Sequence, residues 1–190
     1  MPRWDPDARE RLVAAAVQLF AEHGYDNVTV AQIAERAGLA RSSFFRHFPD
    51  KKDVLSAGQQ TMTRLLVEGI AAAPADATPL AAVGEGLRRA STMMNPRSRE
   101  LGPVLRDLIA SSVELQERNT LKQAGLTAAM ADALRERGAP DGVATLSAEL
   151  GGLAFRAAYA AWVAAEDDQD LGELACAELG RLRATAARLA

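Results

Sequence analysis

The chain has 190 residues, of which 48% are hydrophobic and only 5% aromatic, and a formal net charge of −3. It is long enough for one large helical domain or for a small head with a larger body, and its core must be mostly Ala, Leu and Val. The single cysteine, Cys176, excludes an internal disulfide and any four-cysteine metal site and suits a reducing cytosol, while the negative charge argues against a surface broadly adapted to nucleic acid but not against a local basic patch.

The start, MPRWDPDARERL, has no apolar stretch behind a basic segment and is not read as a signal peptide. Asp5 and Pro6 have the pattern of an N-cap and first helical residue, and Leu12, Ala16, Leu19 and Phe20 recur on one face of the helix that follows. Gly24 ends that helix and residues 25–28 connect it to the next. Thr29 with Gln32 forms a capping box for a two-turn helix whose apolar face is Val30, Ile33, Ala34 and Ala37. Gly38 closes it. Another helix begins at residue 40 or 41 and runs to about His47, Pro49 stops it, and Asp50 caps a helix that starts at Lys51.

A short helix, a glycine turn and a second short helix make a helix-turn-helix. Phe44 and Phe48, four apart, point inward with Leu39, whereas Arg41, Ser42, Phe45 and Ser43 lie toward the other side. A helix that reads a major groove needs this division, one face anchored and the other offering donors. An ordinary surface helix accounts for solvated Arg and Ser, but it leaves the outward ring of Phe45 unexplained. Residues 41–52 carry Arg41, Arg46, Lys51 and Lys52 against Asp50, a local net charge of +3 in a chain of −3.

Residues 8–55, above all TVAQIAERAGLARSSFFRHFPDKKDVL, resemble the DNA-binding head of the TetR family of bacterial regulators. The resemblance implies that Thr29, His47 and Lys51 hold phosphates and that Arg41, Ser42 and Ser43 approach base edges. Phe45 would join them, on a thymine methyl or a sugar. Two positions depart from the family pattern. Ala40 replaces a usual Ser or Thr and offers no hydroxyl to cap the helix, and Phe45 replaces a usual Tyr and lacks its hydroxyl.

Beyond residue 50 the chain predicts helices over 51–73, 79–94, 97–109, 112–137, 143–166 and 170–188, with breaks at 73–78, 94–96 and 138–142 and a nick at Gly102 and Pro103. The first runs unbroken from head to body, so body motion would reach the DNA reader through it. The helix over 143–166 has a stripe of small residues, Ser147, Gly151, Ala154, Ala158, Ala161 and Ala165, that lets another helix approach closely. It also has an aromatic row, Phe155, Tyr159 and Trp162, which is either core or cavity lining. In the family the last two helices of two chains pair, which implies a homodimer interface through Gly151, Ala154, Ala158, Ala161, Leu174 and Leu182. The implied cavity for an apolar small molecule is lined by Met62, Leu66, Leu87, Leu105, Ile109, Phe155, Tyr159 and Trp162. Arg156 either pairs with Glu149 or Glu166 or meets an anionic ligand. The alanine-rich second half is also similar to the TetR subgroup with an acyl-CoA-like ligand-binding domain.

An enzyme finds no inventory here: two histidines, His23 and His47, stand without a nucleophile, a phosphate loop or a metal-ligand set, and neither metal nor cofactor is expected. No run spans a membrane, because Arg156 interrupts GGLAFRAAYAAWVAA. The expected protein is all-α. Residues 1–50 would form a three-helix DNA-binding head and residues 51–190 a helical bundle for ligand binding and dimerisation. It would be a cytoplasmic homodimer on double-stranded operator DNA, a repressor released by an apolar effector such as a fatty acyl thioester. The alternative is a helical adaptor that binds protein rather than DNA, which leaves the basic patch and Phe45 without a purpose.

Overall fold

The computed structural model describes residues 7–165 and 167–189, so the expected Asp5–Pro6 cap and Glu166 lie outside the described residues. Within them the chain is all-α, with no strand. Its elements are α1 (Ala8–His23), α2 (Val30–Arg36), α3 (Arg41–His47), a 3-10 segment (Lys51–Ser56), α4 (Gln59–Ala72), α5 (Pro79–Ser91), α6 (Pro96–Ala110), α7 (Val113–Glu136), α8 (Asp141–Ala164) and α9 (Leu171–Ala186). The chain divides into two compact units, Met1–Gly58 with Glu100–Arg118, and Gln59–Arg99 with Asn119–Ala190. A single cut at residue 50 therefore does not describe the packing.

The first unit closes around Leu12, Phe20, Ile33, Phe44 and Val54, each at most 1% exposed. Leu108 of α6 and Leu115 of α7 belong to the same cluster, a contribution from distant sequence. Burying each such side chain is worth about 1.5–3 kcal/mol. The second unit has its own core, in which Ile70, Val83, Leu87, Met130, Leu134 and a run of alanines meet. Alanines allow close helices, and two glycines allow closer ones. A Cβ on Gly69 would stand 2.7 Å from the Glu85 carbonyl oxygen and one on Gly86 would stand 2.9 Å from that of Leu66, so α4 and α5 cross at backbone contact.

Local signals explain the helix ends. Thr78 accepts from the Ala81 amide and Pro79 opens α5, while Asp170 accepts from the Glu173 amide at the start of α9. Arg137 closes α4 from a distance, donating to the carbonyls of Ala71, Ala73 and Pro74 at 3.1, 2.9 and 2.6 Å.

Two expectations about continuity are corrected. The segment expected as one helix over 51–73 is interrupted after Ser56, where Gly58 takes φ 86°, a left-handed conformation that L side chains rarely adopt. Conversely, α6 runs through Pro103 rather than breaking there. The elements that continue without a break from one unit's residues into the other's are thus α6 and α7, not the Lys51 segment.

Candidate nucleic-acid interface

The geometry begins with the turn. After α2 the Gly38 amide donates to the Glu35 carbonyl and the Leu39 amide to that of Ala34, the paired bonds of a Schellman end, with Gly38 at φ 68°. This turn aims α3 and places Leu39 against the core. Phe44 is fully buried and Phe48 nearly so, with their ring centroids 5.6 Å apart, and the Arg9 guanidinium covers Phe48 at 5.2 Å. The inner face of α3 is therefore fixed, as its sequence spacing predicts.

The outer face carries Arg41, Ser42, Phe45 and Arg46, all exposed. Phe45 is 48% exposed, and the Arg41 guanidinium lies 5.7 Å from its ring centroid. Arg46 donates to the Ser43 hydroxyl at 2.8 Å, so Ser43, half-buried, positions an arginine. Sequence reasoning counted Arg46 only as charge. The signal for a role was its three-residue spacing from Ser43. His47 is half-buried at the end of α3.

Thr29 caps α2 as expected. Its hydroxyl accepts from the Gln32 amide at 3.3 Å, and its own amide donates to the Gln32 side chain at 2.8 Å. Lys51 differs from the expectation. Its ammonium is turned into the first unit, donating to the carbonyl oxygens of Tyr25 at 2.7 Å and Val28 at 3.0 Å, above the Tyr25 ring at 4.3 Å. Two carbonyls left at the end of a connector need donors, and this lysine supplies them. It is a pin for residues 25–28, with two of its three ammonium donors spent on their carbonyls. Lys52 remains outside, paired with Asp50 at 3.5 Å.

The residues expected to line a cavity are divided. Met62, Leu66, Leu87 and Trp162 are buried in the core of the second unit, with Phe155 and Tyr159 half-buried against it. Leu105 and Ile109 are half-buried in the first unit. The aromatic row is tied at both ends. The Trp162 indole donates to the Gln169 carbonyl at 3.0 Å, the Arg99 guanidinium lies 5.7 Å from its ring, and Tyr159 stacks beside Phe155 with centroids 6.3 Å apart.

The residues expected at a dimer interface are divided as well. Gly151, Ala154 and Ala158 are buried inside their own chain. A Cβ on Gly151 would stand 2.5 Å from Val83 Cγ1, so α8 packs closely on α5 at this position of its small stripe. Leu174 and Leu182 are half-buried against the same core, and Ala161 is exposed. Arg156 is exposed too, and among the described residues it has no ion pair with Glu149.

Residues 12–57 match the family model of bacterial regulatory proteins, tetR family. Over 110 residues the chain is 31% identical to the HTH-type transcriptional regulator TcmR of Streptomyces glaucescens, covering 58% of this chain and 48% of that one. The chain spans less than half the length of the curated relatives it matches. Its fold is similar to that of SmeT, repressor of a Stenotrophomonas maltophilia multidrug efflux pump, in a complex with triclosan (TM-score 0.62, 19% identity, 94% of this chain and 90% of that one). It is also similar to the fatty acid degradation regulator FadR of Bacillus halodurans (TM-score 0.54, 17% identity, 94% and 95%). Residues 12–57 thus carry a helix-turn-helix of the tetR family of bacterial regulatory proteins, and the all-helical fold around it is similar to that of the SmeT repressor.

Proposed function

We propose that this chain is a homodimeric, cytoplasmic transcriptional regulator that binds double-stranded operator DNA through α3 and acts as a repressor released by an apolar small molecule. The observation that carries the reading is α3 itself. Its inner ring, Phe44, is fully buried, while Phe45 next to it is 48% exposed beside Arg41. An exposed ring on a rigid helix, among guanidinium groups and a hydroxyl, has a use when a base edge or sugar covers it. In this reading Arg41, Ser42 and Ser43 face base edges, with Arg46 held by Ser43. Phe45 contacts a thymine methyl, and Thr29 and His47 lie against phosphates. Residues 1–50 carry the DNA-binding function and residues 51–190 the effector-binding and dimerisation functions.

The effector is the finer part of the proposal. A fatty acyl thioester is the candidate class, supported by the apolar second unit and its half-buried aromatic row. Two proteins of the same fold have names that point to apolar molecules, triclosan for one and fatty acid degradation for the other.

The test is fluorescence anisotropy with promoter-region DNA at two salt concentrations, followed by mass spectrometry of molecules that copurify. The reading expects a palindromic site bound far more tightly than random DNA, with affinity falling steeply as salt rises. Equal and weak binding to both DNAs would leave the helical adaptor as the better account.

A further inference from the structure

Helix α7 presents Leu126, Met130 and Leu134, each four residues after the last, to the core of the second unit. One step earlier the same row reaches Lys122. The spacing calls for an apolar side chain there, and a half-buried lysine stands in its place. Burial holds its ammonium below the ordinary 10.5, and no nearby charge contributes to that shift. Several arginines of this unit are matched by carboxylates: Arg64 and Arg89 meet Glu68, Arg88 meets Glu85 and Glu173, and Arg135 meets Asp132 and Asp141. Lys122 has neither an ion pair nor a hydrogen bond among the described residues. Withdrawing an ammonium from water without a partner costs stability, so the fold alone does not account for a lysine here.

A second unpartnered polar group adjoins this part of α7. Gly125 follows Lys122 by one helical turn, and a Cβ on it would stand 3.8 Å from the side-chain nitrogen of Gln59, the first residue of α4. Gln59 is half-buried, and its carboxamide has no hydrogen bond among the described residues. An ammonium and an amide nitrogen on adjoining helices are both donors, and together they suit the oxygens of a carboxylate. Beyond them the surroundings turn apolar. Met62 follows Gln59 by three residues and Leu126 follows Lys122 by four, with Leu66 and Met130 another turn along, all in one cluster. Methionine thioethers re-pack readily around a guest. The acidic group of a ligand set here is therefore joined directly to its apolar part. In a coenzyme A thioester the phosphates are separated from the acyl chain by a long head group. Arg156, the cation that the sequence offered for an anion, is exposed.

We propose that Lys122, with Gln59 beside it, receives the carboxylate of an apolar monocarboxylic acid whose tail packs among Met62, Leu66, Leu126 and Met130. This rests on the apolar effector of the proposed function and selects, within the fatty acyl class, the free acid over its thioester. The ligand supplies the counter-charge that the ammonium lacks in the free protein.

The test is equilibrium dialysis of the full chain against labelled laurate, methyl laurate and lauroyl-coenzyme A. Laurate should bind the parent at least about tenfold more tightly than the ester, and Lys122→Met should remove that advantage while leaving the ester unchanged. Gln59→Leu should weaken laurate by roughly threefold to tenfold, again with no change for the ester. Methionine fills the place of the lysine stem without its charge, so Lys122→Met should be at least as stable as the parent in urea. Laurate and ester bound equally, both indifferent to Lys122→Met, would overturn the carboxylate site while leaving an apolar effector in place. Lauroyl-coenzyme A bound more tightly than laurate, and weakened by Lys122→Met, would assign the lysine to a phosphate and overturn the free acid. A chain that binds none of the three, nor their palmitoyl counterparts, fails at the effector reading itself, and this site falls with it. A Lys122→Met protein markedly less stable than the parent would show that the ammonium already has a structural partner, which also overturns the proposal. Should that variant fail to fold, laurate against ester on the parent and on Gln59→Leu decides the question.

Discussion

The ammonium of Lys51 donates to the carbonyl oxygen of Tyr25 at 2.7 Å and lies 4.3 Å from the centroid of the same residue's ring. With its bond to the Val28 carbonyl, it fastens the residues that lead into α2. Lys51→Met keeps much of the stem and removes the donors. Hydrogen bonds from a charged group are worth about 1.5–3 kcal/mol each when their partners are otherwise unsatisfied, so the first unit should lose about 2 kcal/mol of stability in urea denaturation. The salt slope of DNA binding should stay as in the parent. A slope lower by about one unit would mean that the ammonium reaches a phosphate after all.

Arg41 and Arg46 are both exposed on α3, but they are held differently, one over Phe45 and one by Ser43. Arg41→Ala should reduce discrimination between operator and random DNA by roughly 1–3 kcal/mol, the worth of one bidentate base contact. Arg46→Ala should change both affinities together if it meets only backbone. Competition binding with operator and scrambled duplexes separates the two. Equal losses on both duplexes for Arg41→Ala would remove it from base reading.

Gly151 is where α8 touches Val83 of α5. Gly151→Ala adds a methyl 2.5 Å from Val83 Cγ1, and overpacking of this kind costs about 1–3 kcal/mol. Val83→Ala in the same chain removes the clash. The double variant should therefore be more stable than the sum of the single losses predicts, measured as a double-mutant cycle in urea. Additive losses would show that the two residues do not meet.

Both tyrosines of the chain resist ionisation. Burial is the first cause at Tyr25, helped by the negative charge of Glu114, and burial alone raises Tyr159 above the ordinary value of 10.0. A phenol whose folded pKa is raised contributes stability that is complete below its unfolded value and is lost as pH rises through the folded one. Stability should thus fall with rising pH above about 10. Phenolate absorbance should appear later in the folded protein than in urea. A tyrosine titrating normally in the folded state would mean that its ring is solvated.

Tyr159 is half-buried beside Phe155 and Trp162, whose centroid lies 5.9 Å from its own. If an apolar effector meets this row, Tyr159→Ala should weaken the effector's release of DNA while leaving operator affinity of the free protein unchanged. By linkage, operator DNA should weaken effector binding by the same factor that the effector weakens DNA binding. If Tyr159→Ala mainly lowers the melting temperature with the response intact, the row is core.

The amino-acid sequence by itself determined every feature that depends on near neighbours along the chain. The Thr29–Gln32 capping box, the Gly38 turn, the burial of Phe44 and Phe48 and the exposure of Phe45 follow from spacing, caps and backbone sterics within a few residues. The proline-led start of α5 and the ends of α7, α8 and α9 are of the same kind. Only the tertiary structure decided matters that turn on distant residues. Lys51 bends inward because residues 25–28, more than twenty positions away, bring two carbonyls within its reach. The α8 helix has two apolar faces, and the pattern alone cannot say which is inside; the choice is made by Val83 and Met130, which stand against Gly151. The continuity of α6 through Pro103 runs against local preference, because packing outweighs the propensity of one residue, whereas the interruption at Gly58 follows glycine's own preference for a left-handed conformation.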